Sequence, residues 1–466
     1  MEKKYAILIS LMSGMIMVPI DASMINVILP TLTDVFQTDI STAQWIPLIY
    51  LLTVSSLLLF YGRLGDIIGY KKVYMFGLGG FVISSGLCGL APSMYWLIIF
   101  RAVQGLTAGM MMAVPFAIIT ASFPSTELGR ALGIFAISIS AGLAIGPSFG
   151  GFLTSMFGWR FTFLINIPIG LITLVIGYKV IPQFKVKRGR MDFGGAITVF
   201  VFLFSVIMMI NRLQIAGISK GAVLALVAAL VTGPLFLILE SRTPDPMLNL
   251  SLFRSATFFF ACLSSFFNFV SQFVMVFLTP FFLQRSLHCD PAAVGRVMTA
   301  FPLAVIVIAP ISGTLSDRPG TRLLSCVGAS VSCLALVLMS LLSTSATPFD
   351  VALRLSLFGI GTGIFQSPNT SAAMGAVPRT NAGVASAIVA TVRNLGMIMG
   401  IALAGLVLHM FVSDSVLEKH YLNYEEGFLF LRGLRYAYIA GAVVAALTAI
   451  TSFVRSKQSV NVVKGI

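Results

Sequence analysis

Long apolar runs, separated by short charged stretches, constrain the fold of this chain more than any other feature. A helix needs roughly 20 apolar residues to cross a bilayer, and runs of that length recur along the whole sequence. Of the 466 residues, 58% are hydrophobic and 10% are charged, whereas about 25% of residues are charged in soluble domains. These proportions exclude an ordinary water-soluble enzyme and predict an all-α membrane protein.

The apolar runs predict about fourteen transmembrane helices. Their approximate cores are 5–29, 44–62, 73–91, 94–121, 130–155, 161–180, 193–211, 220–239, 256–283, 292–314, 322–343, 350–376, 384–411 and 433–454. If the N-terminus is cytoplasmic, 19 of the 30 Lys and Arg residues fall on the inner side, as the positive-inside rule requires. We therefore predict a multi-pass protein of the cytoplasmic (inner) membrane with both termini in the cytoplasm.

The same distribution explains the formal net charge of +14 without nucleic acid as a partner. The five cysteines form no disulfide or metal-ligand pattern, and His288, His409 and His420 have no partners at metal-ligand spacing. The sequence contains neither a Gly-rich phosphate loop followed by Lys and Ser or Thr nor a convincing Ser/His/Asp arrangement. We expect no catalytic residue, no metal, no cofactor and no ATP-driven step.

An internal repeat at an offset of about 250 residues indicates two related halves. A Gly-x-Leu-x-Asp pattern, an Arg–Pro spacing and a glycine spacing recur at offsets of 251, 253 and 254. The repeat predicts two pseudo-symmetric six-helix bundles, 1–185 and 251–466, with two inserted linker helices in 186–250. Parallel repeats of this kind place a substrate site at the midplane interface, and rocking of the halves exposes it alternately to each side.

Asp21 breaks the symmetry of the repeat, because Ser271 or Gln272 stands at the corresponding position. It is also the only carboxylate well inside a predicted span. A charge at that depth is costly and marks an ion or proton pathway. Burial favours the protonated form of a carboxylate and an approaching cation favours the ionised form, so Asp21 can exchange a proton for a cation. The alternative is a structural Asp that pairs with Arg101 or caps a helix bent near Pro19.

Several motifs resemble those of the major facilitator superfamily. They are Gly62-x-Leu64-x-Asp66-x-x-Gly69-x-Lys71-Lys72 between helices 2 and 3, Arg101-x-x-Gln104-Gly105 in helix 4, and Gly142-x-x-x-Gly146-Pro147-x-x-Gly150-Gly151 in helix 5. Two more resemble the fourteen-helix drug:proton antiporters in particular, namely Asp21-x-Ser23-x-x-Asn26-Val27-x-x-Pro30 and Trp159-Arg160-x-x-Phe163-x-x-Asn166-x-Pro168. Helix 13 lacks the acidic residue that some multidrug relatives use for divalent cations.

The resemblance implies roles for two groups of residues. Asp21, Arg101 and Gln104 are implied in proton coupling, although Arg101 has the alternative of snorkelling to the boundary. The implied gating residues are Gly62, Asp66, Gly69, Gly142, Gly146, Pro147, Gly150 and Gly151. Packing between helices explains the glycine stripe equally well, and Asp66 is interpreted as a gating latch that meets a helix N-terminus or Arg130.

Polar residues at midplane depth are candidates for lining a substrate cavity. They are Asn26, Asn268, Gln272, Gln366, Asn369, Arg393 and Asn394. Hydrogen bonding between helices is an equally good explanation for any one of the amides. Arg393 has three interpretations: it contacts an anionic substrate, balances Asp21, or turns toward the cytoplasmic interface.

The first functional interpretation is a proton-coupled antiporter that exports lipophilic, cationic drugs or other small organic compounds by alternating access, with the proton gradient as its energy source. The alternative on the same fold is an organic-anion exporter or a proton-coupled uptake carrier. A non-transporting receptor is disfavoured, because the sequence offers no sizeable soluble domain to relay a signal. The expected partners are the substrate, protons and the bilayer, with a monomeric chain.

Overall fold

The computed structural model describes residues 3–183, 192–243, 250–315, 321–377, 382–417 and 424–454. Within these ranges the chain forms fourteen long helices. They are α1 Lys3–Phe36, α2 Trp45–Ile68, α3 Tyr70–Gly89, α4 Met94–Ala113, α5 Ser125–Phe157, α6 Asn166–Val180, α7 Phe193–Ala216, α8 Lys220–Arg242, α9 Ala256–Phe281, α10 Pro291–Leu315, α11 Thr321–Ser340, α12 Pro348–Gly375, α13 Ala382–Phe411 and α14 Tyr424–Val454. Short helical segments occupy Ile40–Ala43, Pro115–Ser122, Phe161–Leu164, Leu250–Arg254, Phe282–Ser286 and Asp414–Leu417.

Thirteen helices in the described ranges are long and apolar enough to cross a membrane. Helix α5 adds a shorter apolar stretch, Ala141–Phe157. Several helices begin at a side chain that satisfies free backbone N–H groups, as the ends of buried helices require. Asp192, Ser219 and Ser255 cap α7, α8 and α9, and Thr347 forms a capping box with Asp350 at the start of α12. The chain is thus an all-helical membrane protein.

Two predicted segments differ from the structure. The expected loop 62–72 is mostly helical, because α2 continues to Ile68 and the turn is made by Gly69 alone, at a φ of 101°. Glycine adopts this conformation without the steric cost that a Cβ would bring. Helix 4 of the prediction is divided at Val114, since Pro115 has no N–H for a continuous helix and starts the new segment instead.

Helix packing groups the elements before and after the linker helices. Helix α1 packs on α5, and α4 packs on α2 and α3; later in the chain α12 packs on α10 and α11, and α9 packs on α13 and α14. Contacts between the two groups run through α5 with α10, α2 with α13 and α1 with α9. Helix α7 packs on α8 and also touches α2 and α13.

Hydrogen bonds join the two groups where α1 and α9 end. We call this end of the molecule the far face. Gln284 donates to the Val27 carbonyl oxygen at 3.3 Å. Arg285, which is buried, donates to Thr33 Oγ1 at 3.4 Å and to the Leu417 carbonyl oxygen at 2.9 Å. These contacts hold the far face together around a buried guanidinium.

Candidate functional site

A buried ion pair connects α1 and α4. Arg101 Nη1 lies 2.5 Å from Asp21 Oδ2, and each side chain is 1% exposed. The two residues are 80 positions apart in the chain, and helix packing alone brings them together. Two opposite charges buried at this depth neutralise one another, whereas either alone would have a large desolvation cost.

Two amides complete the Asp21 site. Asn166, at the start of α6, donates to Asp21 Oδ1 at 3.1 Å. Gln104 donates to the same oxygen at 3.3 Å and accepts a hydrogen bond from Arg101 Nη1 at 2.6 Å. Ser85 Oγ lies 2.8 Å from Gln104 Nε2 and fixes the orientation of that amide. The Asp21 carboxylate of α1 therefore accepts hydrogen bonds from both α4 and α6.

Aromatic rings enclose the guanidinium. The Tyr50 ring lies 4.2 Å from Arg101 Cζ, and the Phe163 ring lies 5.8 Å away. Both rings are buried, so the cation–π attraction acts with little water present. The Tyr50 hydroxyl and Arg101 Nε have no hydrogen-bond partner in the structure. We call Asp21, Ser85, Arg101, Gln104 and Asn166 the Asp21 network.

Gln104 gives Arg101 a second partner besides Asp21. Gln104 Oε1 accepts from Arg101 Nη1 at 2.6 Å, so one guanidinium nitrogen donates to both a carboxylate and an amide. Through these contacts the Asp21 network joins α1, α3, α4 and α6.

The glycines of α5 serve close helix packing. A Cβ on Gly146 would lie 1.7 Å from Ser23 Oγ, and a Cβ on Gly142 or Gly150 would lie 2.8 Å from Pro19 or Met24 of α1. Gly151 faces the other group of helices, where a Cβ would lie 2.3 Å from the Pro291 carbonyl oxygen.

The reverse contact across the same interface is as close. A Cβ on Gly295 of α10 would lie 2.4 Å from the carbonyl oxygen of Pro147 in α5. Ser148 and Thr299 share a hydrogen bond of 2.6 Å beside this contact. The α5 motif thus joins α1 on one face and α10 on the other.

Asp66 lies in the last turn of α2. Its Oδ1 accepts a hydrogen bond from the Tyr70 hydroxyl, and its Oδ2 lies 3.9 Å from Arg63 Nη1. The side chain of Arg130, the expected partner, lies outside the described residues. Gly62 has open space around it, so the structure gives that glycine no packing role.

The predicted cavity residues separate into two kinds. Asn369 donates to the Ala261 carbonyl oxygen at 2.9 Å and accepts from Ser264 at 3.3 Å, so it joins α12 to α9. Asn26 is buried on α1 and donates to the Ala22 carbonyl oxygen at 3.1 Å, and Gln366 is half-buried on α12. The other four lie on α9 and α13.

Those four residues each have a buried polar atom without a hydrogen-bond partner. The atoms are Asn268 Nδ2, Gln272 Oε1, Arg393 Nε and Asn394 Nδ2. Asn26 Oδ1 shares this property. Native proteins leave few such groups unsatisfied, and each calls for a water, an ion or a ligand as partner. The residues described by the structure contain no cluster of His, Cys, Asp and Glu that could hold a metal ion.

Sequence reasoning did not assign Asn166 or Ser85 to the site. Asn166 belongs to one of the motifs quoted above, and its spacing from Trp159 was a usable signal. Ser85 and Tyr50 stand in helices 3 and 2 outside any motif, so no sequence signal indicated their contact with Gln104 and Arg101.

Many membrane-crossing helices with a buried ion pair between them are typical of membrane transporters. The family model for the Major Facilitator Superfamily matches residues 11–401, with a second match over 261–464. The chain belongs to this superfamily, so the resemblance predicted from its motifs is confirmed. It is a membrane transporter and not an enzyme.

Relatives of the chain are named for a riboflavin transporter and for drug resistance proteins. The chain is 31% identical to the riboflavin transporter RibZ of Clostridioides difficile, over 86% of this chain and 88% of that protein. It is 32% identical to the multidrug resistance protein Stp of Mycobacterium tuberculosis, over 87% and 76%. The methylenomycin A resistance protein of Streptomyces coelicolor is 33% identical, over 86% and 85%.

Solved structures agree on the fold. A bacterial homolog of the human lysosomal transporter Spinster, in an inward-facing and unoccupied conformation, aligns with a TM-score of 0.69 at 17% identity, covering 97% of each chain. A POT family transporter in complex with 5-aminolevulinic acid aligns with a TM-score of 0.70 at 16% identity, covering 95% of this chain and 94% of that one.

Proposed function

We propose that this transporter is a proton-coupled antiporter that exports small lipophilic organic compounds by alternating access. The observation that carries the proposal is the Asp21 network, in which a buried carboxylate pairs with Arg101 at 2.5 Å and accepts from two amides. Ionisable residues inside membrane spans commonly belong to proton relays.

In this proposal Asp21 is the proton-binding group. With the carboxylate ionised, Arg101 ties α4 to α1; with the carboxylate protonated, Arg101 turns to Gln104 and the tie between the two helices weakens. Helix α1 also contacts α5 through the glycine stripe and α9 across the interface. A proton on Asp21 therefore changes the contacts of the helix that touches both groups, which supports coupling to the movement of the halves.

The layout that we propose has fourteen membrane-crossing helices. The bundles 1–185 and 251–466 move against one another, and the linker helices of 186–250 lie beside them. Support comes from two contacts, α2 with α13 and α5 with α10. The repeat relates α2 to α10 and α5 to α13, so these two contacts correspond to one another. The basic residues of the predicted inner loops support both termini in the cytoplasm and a location in the inner membrane. We propose that a single chain is the working unit.

The charge of the exported compound separates two candidates. A cationic drug exchanged for a proton at Asp21 must displace Arg101, which already neutralises that carboxylate. An organic anion is the second candidate, and the guanidinium of Arg393 favours it. Relatives named for multidrug resistance and for riboflavin transport support export of organic compounds without deciding their charge.

The test begins with a screen of cells that express the transporter, with and without a protonophore, to find compounds whose accumulation depends on the proton gradient. The purified protein is then reconstituted in liposomes with a compound so identified. We expect Asp21→Asn to abolish transport driven by the pH gradient, while the exposed Glu425→Gln behaves as wild type. Transport by Asp21→Asn at the wild-type rate and gradient dependence would refute the coupling role of Asp21.

A further inference from the structure

Arg393 of α13 is a cation for which the described residues provide no ion-pair partner. Its Nε is inaccessible to solvent and has no hydrogen-bond partner among these residues. The side chain as a whole is half-buried, so part of its surface stays accessible.

Among the described residues, no carboxylate forms an ion pair with Arg393. Helices α9 and α13 contain neither Asp nor Glu, and the described ion pairs and hydrogen bonds do not include Arg393. Asp21, the carboxylate inside α1, is already paired with Arg101. A cation buried without a partner is strongly unfavourable, so a negative group from outside the protein would be stabilised there.

The position of Arg393 is fixed by helix packing. A Cβ on Gly396 would lie 2.6 Å from the Phe266 carbonyl oxygen, and Gly400 makes the same contact with Val270 at 2.5 Å. This close approach of α13 to α9 holds Arg393 Cζ at 6.0 Å from the Phe269 ring. Arg393 stands eleven residues after Ala382, about 16 Å along the helix, which is roughly half the thickness of the hydrocarbon core.

Further donors without partners lie on the same two helices. Asn268 of α9 and Asn394 of α13 are buried, and the amide nitrogen of each has no hydrogen-bond partner. Around them the described surfaces of α9 and α13 are mostly aliphatic and aromatic. The region therefore combines a cation, free N–H donors and apolar surface.

We propose that the transported compound is a lipophilic organic anion, and that its carboxylate, sulfonate or phosphate group pairs with Arg393 during transport. A guanidinium offers two parallel N–H donors to such a group and binds it more strongly than a neutral donor does. The apolar surfaces of α9 and α13 contact the rest of the molecule. This inference rests on the proposed export function and assigns its substrate class and a binding residue.

The test compares two dyes on one xanthene skeleton. Sulforhodamine B has a net negative charge, and a rhodamine ester is a cation of similar size and lipophilicity. Fluorescence polarisation measures the binding of each dye to the full-length protein in neutral detergent. We expect Arg393→Gln to weaken sulforhodamine binding by about tenfold or more, Arg393→Lys to restore part of it, and binding of the cationic dye to stay the same or rise.

Arg322 provides a matched control. Its guanidinium lies 4.4 Å from the Phe453 ring in a similar Arg–Phe arrangement on α11 and α14, and Arg322→Gln should leave binding of both dyes unchanged. The proposal is overturned if sulforhodamine does not bind the wild type, if Arg393→Gln binds it normally, or if that variant loses both dyes equally. Phosphatidylglycerol is also tested as a competitor. If it displaces sulforhodamine from Arg393 as effectively as free dye does, the site binds a lipid headgroup, and the assignment as a cargo site is refuted.

The outcome is separable from that of the coupling proposal. If Asp21→Asn keeps proton-driven transport while Arg393→Gln loses anion binding, the coupling role fails and the substrate class stands. If Asp21→Asn loses transport and Arg393→Gln binds both dyes normally, the reverse holds.

Discussion

The Asp21 network and the region around Arg393 handle buried charge in opposite ways. In the Asp21 network, Arg101 is paired with a carboxylate at 2.5 Å, and both amides beside it have partners. Around Arg393 no carboxylate is present on either helix, and the neighbouring Asn268 and Asn394 retain free amide nitrogens. In the Asp21 network the protein supplies the partners of the buried charge, whereas around Arg393 the described residues leave buried polar atoms without a partner.

The largest effect should come from breaking the ion pair of the Asp21 network. Arg101→Met leaves a buried carboxylate without its cation and should lower the free energy of unfolding by about 3–5 kcal/mol. The double variant Asp21→Leu/Arg101→Met removes both charges and should recover most of this loss. Unfolding of the purified protein in mixed micelles with increasing SDS measures both values. If the loss in the double variant equals the sum of the losses in Arg101→Met and Asp21→Leu, the two residues do not act as a coupled pair.

The contact between α5 and α10 should tolerate little increase in side-chain volume, because the two backbones lie close together. Gly151→Ala brings a Cβ to 2.3 Å from the Pro291 carbonyl oxygen, and overpacking of this kind costs about 1–3 kcal/mol. Because the clash is with backbone, trimming a neighbouring side chain should not relieve it. The same unfolding assay measures the loss. Gly62→Ala is the control, because a Cβ on Gly62 would have no other atom within 4 Å.

Gly151→Ala also tests whether the α5–α10 interface is independent of the Asp21 network. The effects of Gly151→Ala and Arg101→Met should add within about 0.5 kcal/mol if the interface and the Asp21 network share no contacts. A larger interaction energy would mean that the ion pair senses the position of α10 directly.

The smallest effect should separate a satisfied amide from an unsatisfied one. Asn166→Leu removes a donor to Asp21 and should destabilise the protein by about 1–3 kcal/mol. Asn268→Leu removes a free donor of similar volume and should be neutral or slightly stabilising, because no partner is left unpaired. A loss for Asn268→Leu as large as that for Asn166→Leu would show that Asn268 is already satisfied within the protein.

Arg285 on the far face shows that the position of a charge in the sequence does not predict its burial. Arg285 stands two residues after the predicted helix core 256–283, a position where a basic residue usually meets water or headgroups. The structure buries it at 3% exposure with the Leu417 carbonyl oxygen and Thr33 as partners. Hydropathy gives the depth of a residue but not its neighbours, and neighbours decide whether a charge at a helix end is solvated.

By itself, the sequence determined the helical membrane fold and the superfamily, and it singled out Asp21 and Arg101 as candidate residues. These follow from local properties: apolar run length, the cost of a lone acid in a span, and motif spacing. Only the tertiary structure decided that Asn166 and Ser85 complete the network, that Asn369 is a packing residue, and that the turn is made at Gly69 alone. Each depends on the rotation and separation of helices distant in sequence, and packing of the whole chain sets those quantities.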